Sequence, residues 1–321
     1  GGIYLKASTA STNIAGSKIY DNISTSAGAA AGGGIASDKT AVYAMKTSAV
    51  YDNDSLSSAG PAFGGGIFAN TGTVSISAST ISVNEAISTS AKSAGGGIFS
   101  GSTTKFDLRN STISNNNTTG KNAFGAGISV STDSNAFIIF STFAYNSLNA
   151  SSSGTANGAG LYHGTGSSAG TLNIKANILS DNTSAIGTSS VIDDDCYGIT
   201  SSIFLSYGYN VIKEDMATTA DCLPTASSST DISNQTILLA ALADNGGDND
   251  SHALDSTSPA IDIVPSSDCT DLSTTPTTIS YDQRYYYREN ASGGDCDAGA
   301  YEYMHSETDN CTDGIDNDGD G

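Results

Sequence analysis

The sequence predicts an all-β fold, a parallel β-solenoid, on three observations: a repeat of about thirty residues, period-two alternation within each repeat, and few large apolar residues. Of the 321 residues 36 are Gly, 51 Ser and 35 Thr, with no Trp. A thin core of small residues suits stacked coils better than packed amphipathic helices.

Two markers carry the repeat. Gly-Gly followed by Ile ends at Ile3, Ile35, Ile67 and Ile98, and Gly-Ala-Gly followed by an apolar residue ends at Ile128 and Leu161. The steps are 32, 32, 31, 30 and 33 residues. The second marker, an apolar residue three positions before Asn, places Asn22, Asn53, Asn84, Asn116, Asn146 and Asn182 in the same register. Six coils of about 31 residues follow.

Within a coil, Thr73-Val74-Ser75-Ile76-Ser77 and Lys105-Phe106-Asp107-Leu108 alternate as strands do. Three short strands per coil are expected, with inward Ile, Val, Leu and Phe stacked from coil to coil. Gly permits positive φ and close backbone approach at a tight corner. Asn tolerates the left-handed conformation, and its amide can bond the same amide one coil away, about 4.8 Å along the stack. The six Asn are therefore expected to form an internal ladder. Insertions after Ala150 and before Phe63 are expected to bulge from corners.

The alternation of Gly64-Gly65-Gly66-Ile67-Phe68 with Ser79-Thr80-Ile81-Ser82-Val83-Asn84 resembles the right-handed parallel β-helix surface proteins of bacteria, including the polymorphic outer-membrane protein type. That resemblance covers residues 1 to about 184. Beyond it, Asp195-Cys196-Tyr197-Gly198, Ser258-Pro259-Ala260-Ile261-Asp262, Asp282-Gln283-Arg284 and Cys296-Asp297-Ala298-Gly299-Ala300-Tyr301-Glu302 resemble the C-terminal section of secreted bacterial β-helix proteins of the choice-of-anchor group. The implied division is a β-helix over 1–230, regular to 184 and irregular over 185–230, then an irregular disulfide-fastened cap over 231–305 and an Asp-rich tail over 306–321. The family has Gly after Gln-Arg, where this chain has Tyr285-Tyr286-Tyr287, read here as an exposed or half-buried strand. Ile232 to Ala243 reads as one short helix, ended by Gly246-Gly247.

All five Cys follow residue 195. Extracellular disulfides are the natural reading; order along the chain suggests Cys196 with Cys222 and Cys269 with Cys296, although four Cys allow three pairings. Cys311 is left over. In the tail, Asp316, Asp318 and Asp320 alternate and precede Gly321, as in the first half of a Ca²⁺ loop. The tail is similar to thrombospondin type 3 repeats, which implies Ca²⁺ there; the competing reading is an acidic linker. The closing carboxylate is missing, so the parent chain is expected to continue.

The net charge is −21, from 33 acidic against 12 basic residues, which excludes nucleic acid as a partner. No apolar stretch reaches membrane-spanning length. A signal-peptide pattern is absent from the first residues, so any secretion signal is expected outside this sequence. Consecutive Asp193-Asp194-Asp195 reads as a solvated corner. Lys175 and Arg109 are the repeat-region candidates worth testing as the base of a β-elimination lyase, although neither has a motif around it, and His163, His252 and His305 stand in no catalytic pattern; His252, within the capping motif, reads as a structural hydrogen-bonder. The expected function is thus an extracellular or cell-surface structural protein, a solenoid subunit for adhesion or for head-to-tail or lateral self-assembly. The alternative is a polysaccharide-binding or polysaccharide-degrading β-helix, using Tyr20, Tyr43, Tyr51, Phe68 and Phe99 to contact cell-surface glycans.

Overall fold

The computed structural model describes residues 1–6, 11–37, 42–131, 133–164, 170–198, 204–214, 228–288 and 294–304. They form a parallel β-solenoid of about six turns with coils of about 31 residues. The first five coils each carry four flanks rather than the three expected, whereas in the sixth Ile192–Asp193 folds back antiparallel on Thr183–Ile186. In the third coil the four are Ile67–Ser77, Thr80–Ser82, Glu85–Ser88 and Lys92–Ala94. The fourth is only two or three residues long, such as Ala62–Phe63 or Asn122–Phe124, which is why alternation does not reveal it.

Stacking is in register with the markers. On the first flank Ile3, Ile35, Ile67, Ile98, Ile128, Leu161 and Cys196 pair in sequence. On the second, Ile19, Val50, Ile81, Ile113, Phe143, Leu179 and Ile212 do so. From Ile35 and Val50 onward these side chains are buried in one continuous core. Burying each contributes roughly 1.5–3 kcal/mol, so the core grows by addition of like layers.

The corners follow a two-residue rule. Before each ladder Asn stands a residue with left-handed backbone: Asp21, Asp52, Val83, Asn115, Tyr145 and Asp181, at φ of 53 to 59°. The left-handed residue is thus the one preceding the Asn, correcting the expectation that the Asn itself takes it. A second corner repeats the rule: Gly16, Thr47, Ala78, Asn110, Phe140 and Ala176 are left-handed and precede Ser17, Ser48, Ser79, Ser111, Ser141 and Asn177. At the third corner Gly32, Gly64, Gly95, Gly125 and Gly158 serve.

The described residues of 234–304 lie along the second flank of the solenoid and the adjoining end of the first. The expected helix over Ile232 to Ala243 does not form. Ile232–Ser233 is instead a strand paired with Val211–Ile212, and Leu239 and Ala243 bridge antiparallel to Leu254 and Ser251. Extended chain advances about 3.3 Å per residue against 1.5 Å in a helix, so it spans several coils and places alternate residues, such as buried Ile237, on the solenoid. The section is fastened by the disulfide Cys269–Cys296, which packs with Val264 on Ile139, Phe140 and Ala176.

Candidate functional site

The sequence markers meet inside the solenoid. Asn22 Nδ2 donates to Asn53 Oδ1 at 2.9 Å, and the same bond continues through Asn84, Asn116 and Asn146 to Asn182 at 2.8–3.0 Å. Each Oδ1 also accepts the backbone N–H of the preceding Asn, as Asn84 Oδ1 does from Asn53. The second Gly of each corner faces this amide: a Cβ on Gly66 would stand 2.9 Å from the Asn84 side chain, and one on Gly97 3.0 Å from Asn116. The Gly-Gly and Asn markers keep one register because they touch.

A second ladder escaped the sequence reading. Ser17 N–H donates to Ser48 Oγ, Ser48 to Ser79, and Ser79 to Ser111, at 3.1–3.2 Å. It continues through Ser141, Asn177 and Asn210 to Asp231. The recurrence at 17, 48, 79, 111 and 141 was the available signal, concealed by a chain holding 51 Ser.

Both ladders donate in one direction and end on carboxylates. Asn182 donates to Asp195 Oδ1 at 2.8 Å, while Asp195 Oδ2 accepts the Glu214 N–H. A carboxylate accepts only, which suits the last member of a row in which every donor points the same way. Asp195 is fully buried and Asp194 nearly so, against the expected solvated corner; only Asp193 is exposed. Burial pushes the Asp195 carboxyl up to about 6, opposed by the hydrogen bonds from Asn182.

The two candidate bases hold the C-terminal section. Arg109 pairs with Asp107 at 2.6 Å and Asp271 at 2.7 Å. The Asp107 hydrogen bond raises its pKa above the ordinary arginine value, so it stays charged. Lys175 Nζ donates to the carbonyl and hydroxyl of Thr270. Thr112 donates to Gln283 at 2.7 Å, and Ser114 meets His252 Nε2 at 2.8 Å. His163 points into the core beside Phe204, its Nε2 without a hydrogen bond, and burial pulls its pKa down to about 4. Cys196 is disulfide-bonded. Cys222, Cys311, His305 and the tail residues Asp316, Asp318 and Asp320 lie outside the described residues. Among those described, no three His, Cys, Asp or Glu are grouped to hold a metal, and no helix is long and apolar enough to cross a membrane.

The aromatics expected to face outward divide. Tyr43 is buried in the core, whereas Tyr20 and Tyr51 stack on the surface at 5.0 Å. Phe68 and Phe99 occupy one outward row of the first flank, in register with Ser129, Tyr162 and Tyr197. Phe68 and Phe99 stack at 5.6 Å, and Tyr162 and Tyr197 at 5.8 Å. Phe63 and Phe124 join from the fourth flank, 4.6 Å from Phe99 and 4.8 Å from Tyr162. The C-terminal section contacts the second flank, the adjoining corner and the far end of the first flank at Arg109, Ile139 and Lys175, whereas the aromatic row lies at the near end of the first flank.

Comparison with protein-family models, curated proteins and solved structures returned no match.

Proposed function

We propose that this chain is an extracellular, cell-surface adhesive module of bacterial β-helix type, in line with the polymorphic outer-membrane and choice-of-anchor resemblances. The observation that supports it is the aromatic row running across successive coils on a surface otherwise rich in Ser, Thr and Asn. Contiguous apolar surface rimmed by polar residues marks interaction sites in soluble proteins, and Tyr and Phe are favoured in interface cores. Two further features suit service outside a cell. Cystine persists in oxidising compartments, and the C-terminal section binds several coils laterally, opposing their separation. In this reading the Asp-rich tail is a Ca²⁺-dependent spacer.

The test is adhesion of the chain to bacterial and host cell-wall preparations, with Phe99→Ala and Tyr20→Ala compared. Loss of adhesion in the first variant alone supports the reading, and full adhesion by Phe99→Ala overturns it. Electron microscopy with and without a Ca²⁺ chelator separates it from self-assembly: isolated rods fit an adhesin, whereas filaments would assign the chain to a structural fibre.

A further inference from the structure

The C-terminal section leaves a step on the second flank. It is seated from the third coil onward, where Thr80 donates to the Asp250 carbonyl, Thr112 donates to Gln283, and Thr142 accepts from the Ala300 N–H. The first two coils of that flank stand beside its edge: Lys18 and Tyr20 pair in register with Ala49 and Tyr51, and these with Thr80 and Ser82. Between Lys18 and Thr80 the middle coil holds only the methyl of Ala49, and the step deepens there into a recess of about 360 Å³. That volume falls within the ~300–1,000 Å³ of small-molecule sites, which favour the meeting of two structural units and combine apolar walls with a few convergent polar groups. Ala49 is the floor, and Tyr51, Val83 and Leu242 are the apolar walls. Val83 is 46% exposed, and Tyr51 and Leu242 are half-buried, so these walls are open to a ligand. Tyr20 stacks on Tyr51 at 5.0 Å, and the next register position holds Ser82 in place of a third ring, so the stack ends at the recess.

Charge decides which ligand. Lys18 and Asp250 line the recess and are both exposed, and among the described residues neither makes an ion pair. They stand on opposite sides of Ala49, Lys18 on the first coil and Asp250 anchored by Thr80 on the third. Two coils separate those anchors by roughly 9.6 Å at ~4.8 Å per strand. Tyr51 lies in a negative field: burial pushes its phenol up, and so do Tyr20 and the carboxylates of Asp52, Asp21 and Asp250. An ammonium suits that wall through both the carboxylate and the ring, whereas Lys18 calls for an anion. A free amino acid carries its two charges on neighbouring atoms and cannot reach both sides. Two residues of extended chain span about 7 Å, and hydrogen bonds from the Lys18 and Asp250 side chains close the remainder. We propose that this recess binds a free dipeptide as a zwitterion, its ammonium at Asp250, its carboxylate at Lys18 and an apolar first side chain against Tyr51, Val83 and Leu242. The site goes beyond the adhesive reading and is separate from the aromatic row of the first flank.

The experiment is calorimetric titration of the whole chain, at physiological ionic strength, with phenylalanyl-alanine, its N-acetyl form and its C-terminal amide. The expected result is that the zwitterion binds at least about fivefold tighter than either blocked form, the ratio a single partly exposed charge pair gives. Asp250→Asn should cancel the penalty for acetylation and leave that for amidation, and Lys18→Gln should do the reverse; both changes fall on exposed side chains. Ala49→Leu, which fills the floor, should remove binding, and Asp255→Asn, an exposed carboxylate that does not line the recess, should leave all three affinities unchanged. No binding of the zwitterion by the parent chain, equal affinity for the three peptides, or the same loss in Asp255→Asn as in Asp250→Asn overturns the proposal. Should Ala49→Leu not fold, the two charge variants decide. Adhesion is expected to be unchanged in Lys18→Gln and Asp250→Asn, so failure of the dipeptide site leaves the adhesive reading standing, and failure of adhesion in the parent chain leaves the titration to judge the recess by itself.

Discussion

Replacing Asn84 with Ala is expected to cost far more than the same change at Asn22, although both belong to one ladder. Asn84 is fully buried and makes five hydrogen bonds through its side chain. Its Oδ1 accepts from Asn53 N–H and Nδ2, and its Nδ2 donates to Asn116 Oδ1, Val50 O and Ser82 O, all at 2.9–3.1 Å. Alanine leaves the Asn53 N–H without its acceptor and removes a donor from two carbonyls. At ~1–3 kcal/mol per deprived buried group, three such groups lose about 3 kcal/mol or more. Asn22 is half-exposed and donates to Asn53 Oδ1 and Tyr20 O, where water can substitute, so about 1 kcal/mol is expected. Asn84→Asp should be worse than Ala at neutral pH, because a carboxylate would face three acceptors. Its pKa would be raised in the folded state, so the penalty is present above that value and relieved as pH falls through it. With no Trp in the chain, urea unfolding followed by circular dichroism and Tyr fluorescence at pH 4 to 8 is the assay. If Asn84→Ala lies within 1 kcal/mol of Asn22→Ala, or Asn84→Asp is more stable than Asn84→Ala at pH 7, the directional ladder is wrong.

Val83, a β-branched residue at φ 56° and 46% exposed, is strained without compensating burial; Val83→Asn should raise stability by about 1 kcal/mol in the same assay. His163→Leu should remove an acid-sensitive element. Because burial depresses the His163 pKa to about 4 from 6.5, the unfolded chain binds the extra proton first. Native stability is therefore lost as pH falls from about 6.5 to about 4, and the variant should gain about 3 kcal/mol relative to the parent over that window. A pH-independent difference would contradict this. Cys269→Ser with Cys296→Ser opens a crosslink of sequence separation 27. The chain-entropy estimate for such a loop is ~3–4 kcal/mol, and hydrogen exchange should rise first over residues 234–304 while the ladder amides stay protected.

The solenoid was legible because stacking turns sequence neighbours one period apart into spatial neighbours. Ile67 and Ile98, or Asn84 and Asn116, announce their contact by recurring. The fourth flank was not legible, because two residues are too few to alternate. The Ser ladder was lost in composition, and the left-handed residue before each Asn was missed because Asp, Val, Asn and Tyr all occupy that position, giving no residue signature. Of the candidate site, Phe68 and Phe99 could be named as outward aromatics, but not that Tyr162 and Tyr197 share their row, which shows only once register aligns the coils.

By itself the sequence determined the fold class, the coil length and the residues of the Asn row, since each rests on local period and nearest-coil stacking. Only the tertiary structure decided where residues 234–304 lie. Their partners, Arg109 with Asp271, Thr112 with Gln283 and Ser114 with His252, are separated by 162, 171 and 138 positions. Such pairings follow no period, and the choice of extended chain over helix in Ile232 to Ala243 was made by the polar and apolar surface it had to cover. Local propensity yields there because an extended strand reaches along the coils and a helix of the same residues does not.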